Sequence, residues 1–187
     1  MHYSYIKERV KHAVRFRHKR GFGVHSPFVF NLITRVIRDR KGKFVYPEHA
    51  ENAMHISRRS RKFYRLLYRL ITHLGVKRVL CIGEVPEALR LYLPVDVVIH
   101  DNMYGEADLI YVGKEVKVLA DEWWTDRISR LDGKKICMVI AGIHLQKGNM
   151  NLWQLMKNKA RVSIDMMWYG LLFLDEKLQE GRYNLIL

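Results

Sequence analysis

Cysteine is almost missing from this chain: there are two, Cys81 and Cys137. Each lies in an apolar, strand-like run, Val79-Leu80-Cys81-Ile82-Gly83 and Lys135-Ile136-Cys137-Met138-Val139, where a reduced thiol packs as a small hydrophobe. That placement argues against a disulfide framework and against a cysteine-based zinc site. Long hydrophobic runs are missing too. No apolar stretch reaches the roughly 18 residues that a membrane span requires, and the first twenty residues contain no apolar signal core. The expectation is a soluble, cytoplasmic protein that is not an integral membrane protein. The nine histidines lack the close pairing of metal-ligand motifs, so no metal is expected.

Acidic residues are scarce in one part of the chain only. Residues 1–73 hold 18 Lys/Arg against 4 Asp/Glu, whereas residues 74–187 hold 15 of each, so the first piece carries the whole net charge of +14. Such segregation points to an anionic partner, a nucleic acid or a charged surface, or to a solvated face that serves solubility. At 187 residues and 49% hydrophobic, the chain can bury one sizeable core with a helical annex.

Residues 3–19 read as a basic helix, interrupted by Gly21-Phe22-Gly23. Ser26 is a good N-cap and Pro27 suits the first helical position, so a helix is expected to restart there and run to about Asp39. From about Glu48 to Leu74 the pattern is again helical, with Phe63, Leu66, Leu67, Leu70, Ile71 and Leu74 on one stripe and Arg58, Arg59, Arg61, Arg65 and Arg69 on the remaining surface. Gly75 is its stop signal.

The period then changes. Arg78–Gly83, Val95–His100, Asp108–Val112 and Lys135–Ala141 are short apolar runs that read as parallel strands covered on both faces. Helices at about 121–131 and 149–159 separate the later strands, and Gly170–Leu174 and Tyr183–Leu187 read as two closing strands. The organisation expected is a basic helical N-terminal extension, residues 1–75, packed on an α/β core, residues 76–187, built as a Rossmann-like, doubly wound, mostly parallel sheet.

Several segments resemble one family. Arg20-Gly21-Phe22-Gly23-Val24-His25-Ser26-Pro27-Phe28, then Tyr64–Leu70 leading into Val79–Gly83, then Ile143-His144, Lys147-Gly148, Met150, Trp153, Ser163-Ile164-Asp165 and Gly170 fall in order. In this order they are similar to the class I S-adenosylmethionine-dependent methyltransferases of a bacterial branch with a helical N-terminal extension. The resemblance implies a methyltransferase-like fold and S-adenosylmethionine as cofactor. It places the cofactor site at the turn after the first strand, with Gly83 and Glu84, and at the ribose-binding acid position, Asp101.

The chain departs from that family where the chemistry is. The family's turn opens Glu/Asp-x-Gly-x-x-x-Gly, whereas this chain reads Cys81-Ile82-Gly83-Glu84-Val85-Pro86-Glu87, with one glycine kept and a proline fixing the backbone. Acid positions that hold a divalent cation in metal-dependent members are Val112, Ala141 and Gly142. The 24 residues between Gly83 and Asp108 have room for one crossover instead of three, and the seven-residue link 101–107 spans at most about 25 Å.

Three functional readings remain open. One is a degenerate methyltransferase-like protein without catalytic activity, acting through a protein partner or as a homo-oligomer. A second is an active methyltransferase with an altered pocket at Gly83, Glu84 and Asp101. The third is binding of nucleic acid or an anionic surface through residues 7–20, with Arg15, Arg17, Lys19 and Arg20 as anion ligands beside Phe16 and Phe22, and through residues 58–69. His144 is the candidate catalytic base or substrate-holding residue at the C-terminal edge of the sheet, and the lack of a neighbouring acid in sequence favours a boundary histidine. Asp165 is expected to fix a turn. Trp123, Trp124, Trp153 and Trp168 are assigned to core or edge packing.

Overall fold

Ser26 and Pro27 open a helix in the way their positions suggest. The Ser26 hydroxyl accepts a hydrogen bond from the Val29 amide at 3.4 Å, and α1, Pro27–Asn31, widens into a π-helical turn, Leu32–Ile37. The structure, a computed structural model, describes residues 6–7, 10, 24–38, 44–100, 105–114, 123–124, 126, 129–130 and 135–185. Of the basic helix expected over 3–19, Ile6, Lys7 and Val10 are helical; the rest lies outside the described residues.

The single helix expected from Glu48 to Leu74 is broken in two. The first part, α2, is Glu48–Ala53, and the second, α3, is Arg58–Leu74. Between them His55 takes a left-handed conformation, φ 48°, and Ser57 caps α3 by accepting from the Ser60 amide at 3.2 Å. The break folds α2 back on α3, so that the fully buried Glu51 meets Arg65 through two hydrogen bonds, Nε to Oε1 at 2.8 Å and Nη2 to Oε2 at 2.6 Å. The break lies where the apolar stripe is interrupted, since Ser57-Arg58-Arg59-Ser60-Arg61-Lys62 holds no apolar residue and opens on a serine suited to a cap. Gly75, φ 66°, ends α3 as expected.

Among the described residues the sheet has seven strands: β1 Arg78–Ile82, β2 Val98–His100, β3 Leu109–Val112, β4 Cys137–Ala141, β5 Val162–Asp165, β6 Tyr169–Phe173 and β7 Gly181–Asn184. Their order is β2-β1-β3-β4-β6-β5-β7. The β1–β2, β1–β3, β3–β4 and β5–β7 pairings are parallel, and β6 runs antiparallel to both β4 and β5. The fold is therefore α/β with a mixed sheet. The sequence pattern misses β5, where Ser163-Ile164-Asp165 reads as the approach to a turn. It also places β7 two residues too late.

Helices cover both faces, and the alternation along each strand assigns the sides. Leu109 and Tyr111 of β3 and Cys137 and Val139 of β4 share a core with α1, the π-helical turn and α3. Ile110, Val112, Met138 and Ile140 point the other way, into a core with Trp124, Leu152, Trp153 and Met156. Three of these belong to α4, Lys147–Lys159. Of the helix expected at 121–131, Trp123, Trp124, Asp126 and Ser129 are helical. Between Glu84 and Ala107 the described residues hold one strand and one short 3-10 helix, Glu87–Tyr92, in keeping with the room for a single crossover.

Candidate functional site

β1 has β2 on one side and β3 on the other, so the chain reverses direction across the sheet at β1 and β3. In open α/β sheets the crevice beyond the carboxyl ends of strands at such a switch point is where ligands bind. Gly83 and Glu84 arrive there, directly after β1. Asp101, the third cofactor candidate, lies outside the described residues, as do Arg15, Arg17, Lys19 and Arg20.

The two chain segments leaving β1 and β3 meet at this point. Gly113 N donates to Ile82 O at 2.8 Å and Glu84 N to Lys114 O at 3.0 Å, which makes an antiparallel bridge between Glu84 and Lys114. Gly83, φ 79°, supplies the bend that turns Glu84 toward Lys114. The contact is so close that a Cβ on Gly113 would stand 1.8 Å from Glu84 O. Main chain thus fills the space between the ends of β1 and β3.

The next gap, between β3 and β4, is closed by a side chain. Asn149, buried on the first turn of α4, donates through Nδ2 to Gly113 O at 2.8 Å and to Ala141 O at 2.5 Å. Val112 and Ala141, which stand where acids are expected from the resemblance, are buried and apolar. Amide hydrogens aimed at two carbonyls suit a neutral strand-end seam, and a cation needs the opposite polarity. Among the described residues no group of three His, Cys, Asp or Glu side chains is placed to hold a metal ion.

Further along the same edge the structure supplies the acid that sequence proximity did not. His144 Nε2 lies 2.7 Å from Asp165 Oδ2, and the two residues are 7% and 8% exposed. The other carboxylate oxygen, Oδ1, accepts from the Met167 amide at 2.9 Å and holds Met167 left-handed at φ 72°. Asp165 therefore fixes a turn, as expected, and grips His144 as well. A carboxylate that orients an imidazole is the geometry of a general base. Here the pair is buried at the strand edge, and Asp165 also holds the Met167 amide of the turn that follows.

Trp153 and Gly170 also come together. A Cβ on Gly170 would be 2.3 Å from the Trp153 ring, so only glycine lets α4 lie this close to β6. The pieces on which the resemblance rests, His144, Trp153, Asp165 and Gly170, thus form two touching pairs along one edge.

Reactive groups near the strand ends are quiet. Burial pushes the Cys81 thiol up to about 11 and the Tyr169 hydroxyl up to about 12, so both stay protonated at neutral pH. Tyr169 stacks on Phe63 of α3 at 3.4 Å between ring centres. Of the arginines on α3, Arg61 and Arg65 face Glu51, and Arg69 donates to Val36 O at 2.6 Å and to the Tyr46 hydroxyl at 2.8 Å. Those three part-buried arginines are engaged with other segments of the chain. Arg58, Arg59 and Lys62 remain outward.

Comparison with protein-family models, with curated proteins and with solved structures finds no match.

Proposed function

We propose that this chain is a degenerate relative of the S-adenosylmethionine-dependent methyltransferases, folded but without methyl-transfer activity, that works by binding. The observation that carries this reading is the Glu84–Lys114 bridge with Gly113 pressed on Glu84 O. A cofactor seated at the turn after β1 needs a backbone free to curl around it and an open space beyond the strand ends. The residues present do not fit S-adenosylmethionine at that point. Asn149 closes the adjoining gap, and the buried valine and alanine at the acid positions give no hard ligand for a cation.

Descent is supported by what is kept. His144 with Asp165 and Trp153 with Gly170 are paired contacts of the most recognisable block, and they hold the edge of the sheet together. Isothermal titration of the full chain with S-adenosylmethionine and with S-adenosylhomocysteine checks the reading. No heat of binding is expected for either; micromolar affinity for one of them refutes it.

A further inference from the structure

We infer that the Arg59–Trp168 stack, with Arg58 and Lys62 beside it, is a docking site for single-stranded nucleic acid. Trp168 stands on the turn between β5 and β6, at the edge just described, and is only half-buried. The Arg59 guanidinium lies over its ring at 3.8 Å. Arg58 and Lys62 are four residues apart on α3, and Arg59 and Lys62 three apart, so all three cations share one side of the helix. All three are exposed, and none forms an ion pair with an acid among the described residues.

The platform is built beforehand. Met167 at φ 72° is a conformation that a side-chain-bearing residue adopts only at a cost, and such costs are retained where surrounding structure imposes them. Asp165 imposes this one through Oδ1, while His144 holds Oδ2. The Trp168 amide donates to Met166 O at 2.9 Å and its carbonyl accepts from Gly142 N at 2.7 Å. The buried His144–Asp165 pair therefore acts as a positioning pair that sets Trp168 under Arg59.

Charge and shape select the partner. A planar cation stacked on an indole, flanked by two further cations, offers a nucleobase a flat surface and its phosphates a positive rim. The large positive excess of residues 1–73 adds long-range attraction to a polyanion. An anionic lipid surface would share that attraction, but insertion favours a bare aromatic ring, and this one is already topped by a guanidinium.

Fluorescence anisotropy of labelled single-stranded oligonucleotides, one RNA and one DNA, with the full chain tests the site. The salt is set high enough to suppress unspecific attraction. Binding to at least one of the two is expected, with the pair of arms showing which sugar is preferred. Arg59→Gln and Trp168→Ala should each weaken it by roughly tenfold, the scale of one lost base stack, and Trp168→Phe should restore most of the loss. Arg59 is exposed, so Arg59→Gln reports even if Trp168→Ala fails to fold. A duplex of equal length should bind more weakly, and vesicles of phosphatidylserine and phosphatidylcholine should show no dependence on Trp168. The inference is overturned by absent single-strand binding, by binding that both variants leave unchanged, or by vesicle binding that alone needs Trp168. None of these outcomes depends on whether S-adenosylmethionine binds.

Discussion

Glu51 shows how much one residue can carry. Its carboxylate is fully buried, receives two hydrogen bonds from Arg65 and one from the Tyr92 hydroxyl at 2.7 Å, and lies 3.4 Å from Arg61. A buried charge without partners is expensive, so removing one member of such a set costs more than the set itself contributes. Glu51→Ala should destabilise the chain by about 3 kcal/mol, toward the low end for a buried pair because Arg61 and Arg65 can still reach water. Denaturant unfolding measures this. The Arg65 hydrogen bonds hold the Glu51 carboxyl below its ordinary value of 4.5. Its stabilisation is thus complete above that value and is lost as pH falls through the lower folded pKa. Glu51→Gln should flatten the fall in stability on acidification; an unchanged acid limb would contradict the assignment.

The same residue marks a limit of sequence reading. Glu51 stands among Glu48, His49 and Asn52 and looks like any surface acid of a first helical turn. Only the break at His55, which brings α2 against α3, gives it Arg65 fourteen positions later. Arg61, Arg65 and Arg69 look alike with Arg58 and Arg59 for the same reason: helical position tells which way a side chain points, and the identity of what lies there comes from another segment.

At the scale of elements, the strand ends matter more than the strands. α4 begins with Asn149 inserted between β3 and β4, where its amide satisfies carbonyls at the ends of both connections. Replacing it by alanine leaves Gly113 O and Ala141 O without that donor inside the protein. Asn149→Ala is expected to cost about 2 kcal/mol, the range for buried polar groups left unsatisfied. It should also raise hydrogen exchange at the Glu84 and Gly113 amides next to the seam. A mutant as stable as the parent would show that the seam is not a structural closure.

Most elements were legible from local pattern. The apolar runs of β1, β3 and β4 stand out because both faces are buried, and Ser26, Pro27 and Gly75 act within their own turn of helix. β5 was not legible. β3 is equally short but wholly apolar, whereas Val162–Asp165 carries Ser163 and Asp165, and its burial comes from β6 and β7 on either side.

Across the whole molecule, the described residues between Val24 and Leu74 share the core on one face of the sheet. Val29, Leu32, Phe63 and Leu67 are packed in the same cluster as Val79, Tyr111, Val139 and Ile164. The described part of the extension therefore has no separate apolar interior to keep it folded alone. Calorimetry of the full chain should show one cooperative transition. Two resolved transitions, one assignable to residues 24–74, would show that the shared core does not couple them.

Local sequence is enough for the helix start at Ser26-Pro27, the stop at Gly75, the buried runs of β1, β3 and β4, the restricted length between Gly83 and Asp108, and the gathering of positive charge in residues 1–73. Each follows from interactions a few residues long or from simple counting. The tertiary structure alone decided that Glu84 bridges Lys114, that His144 meets Asp165, and that Arg59 lies on Trp168. Those partners are 21 or more positions apart in the chain, and their meeting depends on strand order. Placing β6 antiparallel between β4 and β5 is what carries Asp165 and Trp168 to the edge where His144 and Arg59 are waiting.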